Sequence, residues 1–252
     1  MAIMDERRTH EPPAQDAGGF QTTHWSLVLR AGHREDRDAD AALAALCQRY
    51  WFPLYAYVRR RVADIHQAQD MTQEFFVWLL EKNTLAAASP ERGRFRAFLL
   101  TAVKHFLANQ RDRARTQKRG GGVRPLRLDL DAGESRLGLQ PVDDMTPERL
   151  FERQWVLTLL DLVMQRLETE YRLSGRSQQF VRLQGALTGQ RDRLPYAALA
   201  AELEISEEAA RQAASRLRKR YRELLREEVS HTLAEPGEID DEIRSLFEVL
   251  GR

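Results

Sequence analysis

The 252-residue sequence is short of several things, and each shortage excludes a class of protein. Cys47 is its only cysteine, so no internal disulfide and no cysteine-based zinc site is available. Within an apolar helical run it reads as a small buried thiol. No apolar stretch approaches bilayer-spanning length. The opening MAIMDERRTHEPPAQDAGG has early acids and no apolar core, so residues 1–19 read as a disordered extension, not a signal peptide or anchor. A cytoplasmic, reducing location is therefore expected, with no membrane partner. The six histidines are scattered, and no His/Asp/Glu cluster has metal-ligand spacing. "RGGG" at 119–122 lacks the lysine and following helix of a P-loop, and no nucleophile–base pair is visible. The chain is expected to have no catalytic residue, metal or cofactor, and not to be an enzyme.

Strand-like alternation is missing too, whereas helical period is everywhere. A short helix is expected over Trp25–Ala31, capped by Thr22 or Thr23. A longer one covers Ala39–Arg61, with Leu43, Leu46, Cys47, Tyr50, Leu54 and Tyr57 at three- and four-residue spacing and a kink at Pro53. A third starts at Ile65, and a fourth runs from Phe95 to about Lys118, apolar at first and basic at its end. From 119 to 147 glycine and proline replace any sustained period, so a flexible linker is expected there. Thr146 and Pro147 then open a helix over 148–169, followed by others at 176–188, within 194–225 and at Ile239–Leu250. The fold class is all-α: two helical domains, at 20–118 and 148–231, joined by the linker and followed by an acidic amphipathic tail at 232–252.

Net charge is only +1, but it is unevenly spread. Between Arg92 and Arg127 eleven basic residues face one acid, Asp112. A second basic block spans Arg211–Arg226. Two such blocks in a near-neutral chain suggest two contacts with a polyanion. The second block continues "LPYAALAAELEISEEAARQAASRLRKRYRELL" (194–225), which reads as a helix-turn-helix. Its first helix is Ala197–Leu203. Ser206 caps the second, and Glu207 and Glu208 sit in its positive first turn. Ala210, Ala213 and Leu217 should pack on Leu199, Leu203 and Ile205. Glu208, Arg211, Gln212, Ser215, Arg216 and Lys219 then share the outward face, the side-chain types that read base edges and hold phosphates in a major groove. A plain helical hairpin with a solvated basic face is the simpler alternative.

Taken in order, "LCQRYWFPLYAYVRRRV", "AQDMTQEFF", "RFRAFLLTAVKHFLANQRDRAR" and the helix-turn-helix cover most of residues 20–226. Together they resemble the extracytoplasmic-function sigma factors, small two-domain specificity subunits of bacterial RNA polymerase. The resemblance implies that 20–118 is a sigma region 2-like domain binding the core polymerase clamp and the minus-ten element. It implies that 148–231 is a region 4-like domain binding the minus-thirty-five element and the polymerase flap. Lys104, His105, Asn109, Arg111, Arg113 and Arg115 supply the amide, aromatic and basic side chains wanted at unpaired minus-ten bases, with Arg92, Arg94 and Arg96 flanking the loop before that helix. Ser206, Glu208, Arg211, Gln212, Ser215, Arg216 and Lys219 would face the minus-thirty-five DNA.

The helix "IHQAQDMTQEFFVWLL" (65–80) has an outer side with little charge. A wheel at about 100° per residue turns Ile65, Ala68, Met71, Phe75, Phe76 and Leu79 inward. Asp70, Gln73, Glu74 and Val77 turn outward, and the resemblance gives Asp70, Gln73 and Glu74 to the polymerase. Gln67 and Gln69 stand where such sigma factors often carry acids. A related branch uses threonine phosphorylation to supply missing charge, which makes Thr72 the candidate site for a Ser/Thr kinase. An anti-sigma factor is the other regulator implied. The wheel, however, turns Thr72 inward beside Phe75, Phe76 and Leu79, as a packing residue would be. The tail has two readings as well, a packing helix or an autoinhibitory helix covering a basic surface. The competing function is a stand-alone helix-turn-helix transcriptional regulator, which accounts for 194–226 and leaves the earlier amphipathic helices unassigned.

Overall fold

The computed structural model describes Val28, Ala31 and residues 39–81, 84–89, 93–116, 128–138, 145–188, 195–233 and 236–251. Every regular element among them is helical. Of the first expected helix only Val28 and Ala31 fall in the described set, both helical.

Six residues of Phe52–Val58 (all but Pro53) form a run of apolar side chains, too continuous for a one-sided amphipathic helix. At about 100° per residue it covers the whole circumference, so its helix must sit in the middle of the molecule. It does. Helix α1 (Ala39–Arg61) is continuous through Pro53, and Phe52, Leu54, Tyr55, Ala56, Tyr57 and Val58 are all buried. Against one side lies α2 (Ile65–Glu81), started by Asp64, whose carboxylate accepts the Gln67 amide at 2.7 Å. Ala68, Phe75, Phe76 and Leu79 are buried as the wheel requires, Met71 is half-buried, and Ile65, expected inside, is 39% exposed. Ile65 opens the helix, beyond the reach of the layer that covers the later turns. A short 3-10 turn (Thr84–Ala87) leads towards α3 (Phe95–Thr116). Phe106 of α3 meets Phe75 and Trp78 of α2 at ring separations of 5.6 and 5.8 Å, near the edge-on spacing aromatic pairs favour.

The stretch expected to be linker contains a helix, α4 (Leu130–Gly138). Leu130, Gly133 and Leu137 are its buried face, a three-plus-four spacing too brief to register as a period and interrupted by glycine. Gly133 serves close approach: a Cβ there would lie 2.7 Å from Trp51 Cζ3 of α1. Glu134 completes the joint, accepting the Tyr55 hydroxyl at 2.5 Å and Arg59 Nε at 3.2 Å.

Helix α5 (Pro147–Leu173) begins as read from sequence, with Pro147 in the first turn and the Thr146 hydroxyl accepting the Arg149 amide at 3.3 Å. It runs past the expected end at 169 to a reversal at Gly175, whose φ of 71° suits a residue without Cβ. The helix expected over 176–188 is broken into α6 (Ser177–Leu183) and a single turn, α7 (Gly185–Thr188). Then come α8 (Tyr196–Glu202), α9 (Glu207–Ser230), a 3-10 turn at Pro236–Glu238 and α10 (Ile239–Gly251). Helix α5 packs along α1 and also against α9 and α10. Among the described residues one buried cluster runs from Leu46 of α1 through Trp155 of α5 to Leu246 of α10.

Candidate nucleic-acid interface

Helices α8 and α9 meet through a turn that the chain builds locally. The amide of Ile205 reaches back to the Ala200 carbonyl at 3.0 Å, closing the end of α8. Glu204 takes a φ of 54°, a left-handed conformation unusual for a residue with a side chain. Ser206 then caps α9, its hydroxyl accepting the Ala209 amide at 3.2 Å, with Glu207 and Glu208 in the first turn. Ala210, Ala213 and Leu217 are buried against a buried Leu199 and half-buried Leu203, but Ile205, expected beneath them, is 37% exposed. The left-handed Glu204 turns Ile205 away from the hairpin core.

The outward face carries Glu208, Arg211, Gln212, Ser215, Arg216 and Lys219, all exposed, with Ser206 exposed at its start. Arg211 is held by Glu207 at 2.5 Å and stacks over the Tyr196 ring at 5.5 Å, while Gln212 donates to Glu208 at 3.3 Å. These are one-turn surface pairs of small worth, so both side chains are positioned yet easily drawn to a stronger anion. The next basic residues have structural duties. Arg218 donates to the Ala186 carbonyl and the Tyr196 hydroxyl, and Arg220 clasps Glu170 of α5 through two bonds at 2.7 and 2.8 Å. That guanidinium holds the Glu170 carboxyl below the ordinary glutamate range, against a smaller opposing effect of burial.

On α2, Asp70 and Glu74 are exposed and Gln73 is half-buried. Glu74 accepts the Gln110 amide of α3 at 2.6 Å. Gln69 donates to Asp131 of α4 at 3.2 Å, which gives the missing acid a local reason: a carboxylate at 69 would face another carboxylate. Thr72 is fully buried, and its hydroxyl donates to the Ala68 carbonyl one turn back at 2.7 Å. On α3, Lys104 is half-buried and His105 and Asn109 are exposed. Arg111, Arg113 and Arg115 lie on its last turns, with side chains outside the described set, as is Arg92.

The acids that meet these basic groups come from the other half of the chain. Glu148, in the first turn of α5, pairs with Lys104 of α3 at 3.0 Å and Arg61 of α1 at 3.2 Å. The Lys104 ammonium, aided by Arg61, holds the Glu148 carboxyl below its ordinary range despite slight burial. Glu242 of α10 is fully buried and lies 2.5 Å from both Arg94 Nη2 and Arg96 Nη1. These contacts are close but not aligned as hydrogen bonds, so the attraction is Coulombic. The Arg96 guanidinium also lies over the Trp155 ring of α5 at 4.4 Å. Sequence reading placed Arg94 and Arg96 near the minus-ten side chains and missed their partner. A signal was there: Glu242 stands four residues before Leu246 and three after Ile239, on the apolar face of its helix.

A second buried acid, Glu228 of α9, meets Arg166 Nη1 of α5 at 3.0 Å. Burial pushes its carboxyl up, against the opposing pull of Arg49 and Arg166. Among the described residues no group of three or more His, Cys, Asp or Glu is placed to hold a metal, and no helix is long and apolar enough to cross a membrane. Compared with protein-family models, curated proteins and solved structures, the chain matches none.

Proposed function

We propose that the chain is a sigma factor of the extracytoplasmic-function type, directing bacterial core RNA polymerase to a specific set of promoters. The observation that carries this reading is the α8–turn–α9 unit. A capped helix presents Arg211, Gln212, Ser215, Arg216 and Lys219 from one exposed face, ahead of a rear half anchored in the core. Such a face suits a major groove: Arg and Gln for base edges, Lys and Arg for phosphates. In this reading the unit contacts the minus-thirty-five element. The second half of α3, with half-buried Lys104, exposed His105 and Asn109 and the sequence positions Arg111, Arg113 and Arg115, contacts unpaired minus-ten bases. The outer side of α2, with Asp70, Gln73 and Glu74, docks on basic helices of the polymerase clamp. The chemistry of transcription belongs to the polymerase, and the chain itself is not an enzyme. A Ser/Thr kinase acting on Thr72, or an anti-sigma factor, is the regulator that goes with this function.

The test is run-off transcription with bacterial core polymerase on a genomic promoter library. Specific initiation that needs the chain and falls at least tenfold in Arg211→Ala/Arg216→Ala is expected. Tight binding to a palindromic duplex without polymerase, and no initiation with it, would favour the stand-alone regulator.

A further inference from the structure

Four basic side chains of the first half meet carboxylates of the second. Glu148 takes Lys104 and Arg61, and Glu242 takes Arg94 and Arg96. In each case one carboxylate bridges two cations, the contact a backbone phosphate makes with the same side chains. Glu242 is the more telling. It is fully buried, although an ionised carboxylate is costly to remove from water unless cations replace its hydration. Packing alone would have been better served by an apolar residue there, since Ile239, Ile243 and Leu246 of the same helix all join the core. The cations it recruits come from the start of α3, the helix whose later turns carry Lys104, His105 and Asn109.

We infer that α10 and the first turn of α5 form an internal competitor for nucleic acid, a latch that occupies Arg94 and Arg96 at the start of α3, Lys104 in its middle and Arg61 of α1. The inference rests on the sigma-factor reading for the identity of the displacing ligand, promoter DNA, but not for the latch itself. In the closed chain Glu242 and Glu148 stand where phosphates would stand. Polyanion binding through these four cations requires both carboxylates to leave, which separates α10 and the start of α5 from α3. Arg96 leaves the Trp155 ring in the same movement. Free chain therefore binds DNA weakly, and any partner that pulls the second half away exposes the basic surface of the first.

The test uses the full chain and a fluorescein-labelled single-stranded DNA oligonucleotide of mixed sequence, read by anisotropy at fixed salt. Glu148→Gln/Glu242→Gln is compared with Glu238→Gln/Asp241→Asn, which removes the same charge from exposed positions of the tail. Release of a latch that leaves roughly 10% or less of the chain open tightens binding about tenfold or more. The control pair gains no more than about twofold, the effect of net charge alone. Glu148→Gln by itself, at a partly exposed position, gives an intermediate gain and keeps the test decisive if the buried substitution impairs folding. As a second readout, dyes on Ala97→Cys and Glu248→Cys, both exposed, lose energy transfer when the oligonucleotide saturates the chain. Equal affinities for the latch and control variants, or energy transfer unchanged at saturation, overturns the latch. Absence of run-off transcription by both wild type and Glu148→Gln/Glu242→Gln, with the binding and transfer results intact, overturns the sigma reading and leaves the latch standing.

Discussion

Thr72 brings the reading of the charge-poor helix to a single side chain. Its hydroxyl is satisfied inside α2 and no part of the residue touches solvent. A phosphate or a carboxylate at 72 has no place in this packing, because an ionised group there is removed from water without a cation. Thr72→Glu is therefore expected to lower stability by more than about 3 kcal/mol. Thr72→Val, which keeps the shape and loses one hydrogen bond, should cost about 1 kcal/mol. Chemical denaturation followed by circular dichroism separates the two. A kinase acting on Thr72 meets its substrate only when α2 has moved, so Thr72→Glu mimics an opened helix rather than a decorated surface. The wheel placed Thr72 correctly because period alone decides which side of a helix a residue occupies. It did not foresee the Gln69–Asp131 bond, since the partner stands 62 residues away on an element the sequence did not announce.

Helix α4 is that element, and it explains why the linker was only partly legible. The residues around it are rich in glycine and proline, and its own apolar face is three residues long. The signal that makes it a helix is tertiary: Gly133 fits under Trp51, and Glu134 ties to Tyr55 and Arg59. Gly133→Ala would push a methyl group into the Trp51 ring. The expected outcome is a loss of about 1–3 kcal/mol, or release of α4 from α1, despite the better helix propensity of alanine. Melting temperature and amide exchange across 130–138 report which occurs. The long elements α1, α5 and α9 were readable because their period repeats over many turns and their caps are explicit. The capped α9 shows this best, with Ser206, Glu207 and the outward residues all placed as expected. The position of Glu242 on the apolar face of α10 signalled its burial, but nothing in α10 names the cations it would meet, which stand far earlier in the chain at Arg94 and Arg96.

Across the whole molecule, the pairs between α5 and its neighbours make stability depend on pH in two opposed ways. Glu148 and Glu170 have folded pKa values below the ordinary one, set by Lys104 and by Arg220. Their contribution is fully present above the ordinary glutamate value and is lost as pH falls through the depressed folded values. Glu228 runs the other way: burial raises its pKa, so stability falls as pH rises from the ordinary value through the raised one. Glu148→Gln should thus cost no more than about 1 kcal/mol at neutral pH, Lys104 being 41% and Glu148 34% exposed, and nothing at strongly acidic pH. Glu228→Gln should flatten the decline on the neutral side. Urea midpoints across an acid-to-neutral series check both.

The stacking of Arg96 on Trp155 has one more consequence. An indole is a fluorophore, and its emission responds to a charge held against its face and to the arrival of water. Departure of Arg96 therefore changes the spectrum of Trp155 without any attached dye. Separation of α10 from α3, as inferred above, would thus carry its own optical gauge, readable in a cuvette as an oligonucleotide is added.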